Sequence, residues 1–341
     1  MRRSSRQILV ILLLVIAAAV AIYFYRSRQK QEPESVPGPV SGKLAIHFLN
    51  IGQGDSQVIQ LPTGETILID SGDSGAPTVS LLKNLGVSEI DLVIATHPHA
   101  DHIGEMRDIM REFRVKEFWD SGYPHPTKTY REMLQEIRGR NITFKQARRG
   151  DARTIGDARL EVLNPATPFA NDENPNDASV VVRLTYGSKR FLFTGDSEVP
   201  EGRGKSSAWK EMLDGQRESL RADLLKLAHH GSSNGTTKDI LDAVRPSIVT
   251  FSCAPGNDYH HPHPRVMRLL RDRSDSIKVY RTDLGGTITA ITDGETIEMS
   301  AEKEVARDLL YQTGDEVAGR SAGGDDEGRA PSEKKARRRA M

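Results

Sequence analysis

ATHPHADHIG, residues 95–104, gathers His97, His99, Asp101 and His102 into one turn of chain. The turn follows the apolar run IDLVIA, residues 90–95, which has the continuous pattern of a strand buried on both faces, and leads towards the helical spacing of GEMRDIMREFRV. On an extended loop, histidines at i and i+2 reach one ion. An aspartate and a histidine two and three residues further, where the chain turns into a helix, reach a second. Neutral imidazole nitrogens and carboxylate oxygens suit zinc, and also manganese or iron. Four ligand-type residues at the rigid end of a buried strand read as half of a metal site rather than as a histidine-rich surface loop.

The same placement recurs outward from this turn. Asp196 ends FLFTGD, His229 and His230 follow LLKLA, and APGNDYHHPHP follows IVTFS with His260, His261 and His263. Polar clusters at the ends of several apolar strands predict one composite site in a layered α/β protein. Beside a metal pair, Asp196 would bridge two cations and offset their charge. At most one of His229 and His230 ligates; the other donates a proton or binds phosphate. Ser232 and Ser233, next to Gly231, offer hydroxyls or backbone N–H groups to a phosphate oxygen.

Composition narrows the chemistry. Lys+Arg 47 balances Asp+Glu 47, so no global basic field draws the chain to nucleic acid. The single cysteine, Cys253, excludes an intrachain disulfide and a cysteine-based zinc site, which leaves His and Asp as ligands. Ile8–Tyr25 is an uncharged apolar run; at about 1.5 Å per residue it spans about 27 Å, close to the hydrocarbon core of a bilayer. Residues 1–30 are therefore expected to be a membrane anchor or a signal peptide, with a small-residue cleavage pattern ending at Ala21 as the argument for the latter. Retention is favoured by the length of the run and by Tyr23 and Tyr25. Either way the bulk of the protein is expected outside the cytoplasm, meeting the membrane only through this segment. Residues 31–42 are a Pro-rich linker, 43–304 a globular domain of alternating strand and helix patterns, and 305–341 a charged tail expected to be disordered.

HPHADH resembles the H-x-H-x-D-H signature of the metallo-β-lactamase superfamily. NIGQGDSQVIQLPTGETILIDSG, NDASVVVRLTYGSKRFLFTGD, LLKLAHHGSS and VYRTDLGG further resemble the hydrolase domain of ComEC/Rec2-family competence proteins, from about Leu44 to about Thr289. The resemblance implies a four-layer αββα sandwich and two divalent metals, zinc or manganese. His97 and His99 then match ligands of one metal, Asp101 and His102 ligands of the other, and Asp196 the bridge. A later histidine ligand matches His229 or His230; we assign His229 to the metal and His230 to proton donation or substrate contact, with His261 in reserve for either role. Asp55 and Asp70 match carboxylates beneath the motif that orient its imidazoles. Two departures stand out. The family's Asp-Val-Gly-Gln-Gly-Asp is Asn50-Ile51-Gly52-Gln53-Gly54-Asp55 here, and the third histidine that many members carry before the Gly-Asp strand is absent from NPNDASVV, leaving one metal less fully held. With one apolar span, the chain is not expected to form the transport channel of those proteins.

The resulting expectation is an extracytoplasmic metallo-hydrolase cleaving phosphodiesters in nucleic acid, possible DNA included, or in wall or lipid phosphoesters. Asp101 would orient the nucleophile, and His230 or His261 would protonate the leaving group. The rival expectations are a lactamase-like amide or ester hydrolase and a non-catalytic surface binding protein. No protein partner is implied.

Overall fold

In the computed structural model, residues 42–166, 174–200 and 207–323 are described. The apolar run at 8–25, and with it the expected anchor, lies outside them. Among the described residues no helix is long and apolar enough to cross a membrane.

The strands are β1 (Leu44–Phe48), β2 (Gln57–Gln60), β3 (Thr66–Ile69), β4 (Glu89–Ala95), β5 (Arg114–Asp120), β6 (Thr143–Gln146) and β7 (Ala152–Ile155). They continue as β8 (Ala158–Asn164), β9 (Val181–Tyr186), β10 (Lys189–Phe193), β11 (Leu224–Lys226), β12 (Ile248–Phe251), β13 (Lys278–Arg281), β14 (Ile288–Thr292) and β15 (Ile297–Ala301). An 8-stranded sheet runs β15-β14-β1-β2-β3-β4-β5-β6 and a 7-stranded sheet runs β13-β12-β11-β10-β9-β8-β7. Each sheet is antiparallel at one side and parallel at the other: β3 to β6 in the first, β10 to β13 in the second. Parallel neighbours end at a common edge, so the loops after β4, β10, β11 and β12 leave their sheets in register.

Alternation along the strands explains how the sheets stack. Phe191 and Phe193 of β10 enter one apolar cluster with Ile46, Phe48, Ile69 and Ile94 of the first sheet, while Leu192 between them enters another. That second cluster contains Trp209 and Met212 of the helix Ala208–Gly215, Leu241 and Val244 of Lys238–Val244, and Met267 and Leu270 of Pro264–Arg271. A strand side chain points to alternate faces, so the first cluster lies between the sheets and the second beneath the outer helices. On the first sheet Leu68 and Val93 are buried on the face away from the inter-sheet cluster. The helix Lys128–Gly139 buries Tyr130, Met133 and Ile137 at helical spacing, and its first turn is capped by Thr127, whose side chain accepts from Tyr130 N. The architecture is the αββα sandwich expected from the sequence.

The ordered chain continues beyond the expected limit at residue 304. A 3-10 turn at Leu309–Tyr311 and a helix at Gly314–Gly323 follow, with Tyr311 and Val317 buried. Arg281 holds this segment. Its guanidinium forks onto Asp283 through Nε–Oδ1 at 2.7 Å and Nη2–Oδ2 at 2.6 Å. Its Nη1 donates to the carbonyls of Leu310, at 3.2 Å, and Gln312. Gly314 N then donates to Pro262 O at 3.0 Å, and His260 Nδ1 meets Asp315 Oδ1, so the segment is bound to the His260–Pro262 loop. The expectation of disorder from 305 fails here because buried carbonyl acceptors and two apolar anchors are spread thinly through a charged sequence.

Candidate metal centre

The turn after β4 is shaped by its neighbours. His99 keeps extended backbone geometry and the helix Ala100–Ile103 starts directly after it, which brings the His102 ring within 4.1 Å of the His97 ring, centroid to centroid. Asp55 N donates to Asp101 O at 3.1 Å, and a Cβ at Gly54 would sit 2.2 Å from that same carbonyl oxygen. Only glycine, here at φ 118°, lets the two loops approach so closely. On the other sheet Val180 N donates to Thr96 O at 2.8 Å and Asp196 N donates to Ser179 Oγ at 3.0 Å, joining the two sets of strand ends.

Four side chains converge there. Asp101, His102, Asp196 and His230 each offer a ligand atom, all within 4.8 Å of one another. His102 Nε2 lies 3.3 Å from Asp196 Oδ1, and His230 Nε2 lies 3.3 Å from Asp101 Oδ2 and 3.5 Å from Asp196 Oδ2. His97 Nε2 lies 3.9 Å from Asp196 Oδ2 and 3.0 Å from His99 Nδ1.

Oxygens behind the rings set their orientation. Asp70 accepts from Thr96 N at 2.8 Å and Thr96 Oγ1 at 2.7 Å, and its Oδ2 lies 2.8 Å from His102 Nδ1. Because the Thr96 hydroxyl hydrogen goes to Asp70, the same oxygen accepts from His97 Nδ1 at 3.1 Å. His230 Nδ1 lies 2.9 Å from the carbonyl of Ser252. In all three rings the Nδ1 proton points to an oxygen and the Nε2 lone pair faces Asp196, the arrangement of a metal-ligating imidazole. His102 Nε2, His230 Nε2 and Asp196 Oδ1 are buried and have no hydrogen-bond partner. Buried polar atoms are rarely left so, and a divalent cation among them would satisfy all three. The donor set thus fits a divalent cation.

The electrostatics of the side chains alone agree. Burial would raise Asp196 and Asp101, but the charge of His102 on both, with His230 and His229 on Asp196 and His230 on Asp101, holds the two carboxyls below their usual range. Burial would lower His230, yet Asp196 and Asp55 push it up to about 10; Asp196 and Asp101 likewise raise His102 against its burial. A cation replaces such protons, so its binding releases them. His97 and His99 are lowered chiefly by burial and remain neutral, ready to ligate.

The structure places the two adjacent histidines differently. His230, expected as proton donor, sits in the four-donor group, and His229, expected as its ligand, stands outside that group with its Nε2 3.8 Å from Asp196 Oδ2. The two adjacent residues have left-handed backbones, φ 50° and 53°, which turn their rings to different sides. His261 is buried 5.4 Å from the His229 ring and 5.9 Å from the His230 ring. Burial and then the charges of His230 and His229 lower it to about 3, which holds it neutral. Ser232 Oγ donates to Asn234 Oδ1, and Ser233 N donates to His263 Nδ1 on the loop after β12.

Asp70 and Asp55 lie beside the cluster: with His102 they form a second close group, and Asp55 Oδ1 is 3.6 Å from His230 Nδ1. Two residues here escaped sequence reasoning. Lys226, 1% exposed, donates to Asp55 Oδ2 and, at 2.9 Å, to Leu227 O. Glu198 is buried and lies 2.9 Å from His229 Nδ1. A lysine inside LLKLA and a glutamate two residues after Gly-Asp were the available signals. The groove of about 1230 Å³ that includes Tyr280, Met299, Lys303 and Arg307 contains none of these cluster residues.

Comparison with known proteins identifies the family. The profile of the Metallo-beta-lactamase superfamily matches residues 49–254. ComE operon protein 3 of Bacillus subtilis is 30% identical over 269 residues, 73% of this chain and 33% of that protein. Competence protein ComA of Neisseria gonorrhoeae is 26% identical over 259 residues, 75% of this chain and 33% of that protein. The chain thus spans about a third of the length of these curated relatives. The crystal structure of the metallo-beta-lactamase fold protein YhfI from Bacillus subtilis is 15% identical, with a TM-score of 0.45 over 73% of this chain and 99% of that chain. With a profile match across more than half its length, the chain belongs to the metallo-beta-lactamase superfamily.

Proposed function

We propose that the chain is a metal-dependent phosphodiesterase acting outside the cytoplasm. The observation that carries this reading is the convergence of Asp101, His102, Asp196 and His230 with three unpartnered buried donor atoms among them. A bound divalent cation supplies Lewis acidity at a phosphoryl oxygen and a water acidic enough to ionise near neutral pH. Asp196, buried between the strand ends, offers an oxygen to each side of the centre. Asp101 has the most open side chain of the four, 29% exposed, and faces the approach from solvent, where it orients the attacking water. His261, neutral, offers a hydrogen bond to the leaving oxygen rather than a full charge. Tyr259 is 62% exposed and stacks on His261 with ring centroids 5.7 Å apart, giving one flat face beside the centre on which a base can stack.

Relatives named for competence make nucleic acid the first natural substrate to test. The apolar run Ile8–Tyr25 supports placement at a membrane, with the catalytic domain on its outer side. The test is hydrolysis of bis(p-nitrophenyl) phosphate with added zinc or manganese between pH 6 and 9. Activity is expected in the parent and not in His97→Ala. Equal rates in the two proteins would remove the phosphodiesterase reading, and turnover of nitrocefin instead would replace it with a lactamase.

A further inference from the structure

We propose that His125, on the loop after β5, is a substrate-contact residue whose Nε2–H donates to a non-bridging oxygen of the phosphoryl group under attack. This rests on the phosphodiesterase reading above and adds to it a group, outside the cation donors, that grips the substrate.

The position of His125 follows from the sheet. β4 and β5 pair in parallel with Ala95 opposite Asp120, so the loops that leave them emerge side by side. The first carries His97 and His99; the second, SGYPHP at 121–126, carries His125. The rings of His99 and His125 lie 5.9 Å apart, edge to face. His97 is fully buried, whereas His99 and His125 are both half-buried and share the solvent side of the turn. From His99 through His97, His102 and His230 to His261, each ring centroid lies within 5.9 Å of the next. His125 extends this row at the His99 end, and Tyr259 extends it at the His261 end. The imidazole and the exposed phenol thus stand on opposite flanks of the cation donors.

The His125 ring is held, and its contacts assign its proton. Nδ1 lies 2.9 Å from Thr127 Oγ1. That hydroxyl oxygen accepts from Tyr130 N at 3.4 Å, capping the helix Lys128–Gly139, so its own hydrogen goes to Nδ1. A neutral ring then carries its proton on Nε2, and a charged ring carries one there too. Nε2 makes no hydrogen bond among the described residues, so in either state it presents a donor. The loop beneath is fixed at its start. Buried Asp120 accepts through Oδ1 from Gly122 N at 2.6 Å and from Tyr130 Oη at 3.0 Å, and Arg148 Nη1 donates to Ser121 O at 2.7 Å. Asp120 therefore ties the beginning of the loop to the helix that ends it. A donor fixed in this way pays little reorganisation when negative charge gathers on a phosphoryl oxygen beside it.

The experiment uses the full-length detergent-purified chain loaded with Zn²⁺. It measures bis(p-nitrophenyl) phosphate hydrolysis, calorimetric binding of inorganic phosphate and bound metal side by side. His125→Ala is expected to keep its metal and to lose about 10–100-fold in both kcat/KM and phosphate affinity, the worth of one hydrogen bond to a charged group. His125→Gln keeps an N–H donor and should recover most of the loss. His125→Phe keeps a ring without a donor and should behave as His125→Ala. The proposal is overturned if His125→Ala or His125→Phe matches the parent in phosphate affinity, or if His125→Ala loses metal, which would make His125 a ligand. A parent that binds phosphate through His125 but hydrolyses no phosphodiester overturns the phosphodiesterase reading and leaves the contact standing. A parent that does neither overturns both.

Discussion

The two sheets contribute to the metal centre in different ways. From the first come His97, His99, Asp101 and His102, consecutive on one turn after β4 and backed by Asp70 from the end of β3. From the second come Asp196, Glu198, His229 and His230, on loops after β10 and β11 that meet because those strands pair in parallel. The first half is local: its geometry follows from one strand end, one turn and a short helix. The second exists only once the sheet has formed. A centre built this way has one half fixed by chain connectivity and another that reports on tertiary structure, and a change in either can be read separately.

The tie between the halves is the place to break this difference. Lys226 on β11 is buried against Asp55 of the first sheet's loop. Lys226→Met would leave Asp55 as an uncompensated buried charge, and we expect a loss of about 3–5 kcal/mol in denaturant unfolding. A loss under about 1 kcal/mol would mean that the halves are aligned without it.

Acid should also act on the first sheet through a residue that lies outside the centre. His47 on β1 is held neutral at about 4, by burial. Its unfolded form takes a proton below about 6.5, so its contribution is full above that pH and declines as pH falls through 4. We expect about 3 kcal/mol of stability to be lost from this group between pH 7 and pH 4. His47→Gln should flatten that part of the stability profile measured by urea unfolding; an unchanged slope would assign the acid sensitivity elsewhere.

The finest comparison is within the support of the ligands. Asp70→Asn removes the charge behind His102 while keeping the shape, and should weaken metal binding by about 10–100-fold. Because Asp70 also takes the Thr96 hydroxyl that receives the His97 Nδ1 proton, the substitution should disturb His97 together with His102, and unchanged metal affinity in a Co²⁺ titration would break that link.

This asymmetry also explains what could be read without a structure. HPHADH is legible because all its donors lie on one turn, and spacing alone assigns them to a common site. FLFTGD and LLKLAHHG were legible as strand ends, so Asp196 and the histidine pair could be placed together. Which histidine faces which way was not legible, because it depends on two successive left-handed residues, a backbone state that histidine adopts only under tertiary constraint. Lys226 reads as a lone charge in an apolar strand, and its partner Asp55 is 171 positions away. Glu198 follows a turn and carries no pattern; its meaning comes from Asn174 and Asn176, which became neighbours by folding. The strand β15 followed the last segment with clear alternation and is only partly buried, so its sequence carries a weaker signal than β14 beside it.

The segment held by Arg281 has a practical consequence. A chain cut at residue 304, the boundary that hydropathy suggests, would strip two carbonyl acceptors from a buried guanidinium and expose the back of the His260–Pro262 loop. The injury would surface at the wall of the metal centre, remote in sequence from the cut. Shortened versions made for expression or crystallisation should therefore keep residues 305–323, and a weakly active fragment lacking them would report on a missing brace rather than on missing chemistry.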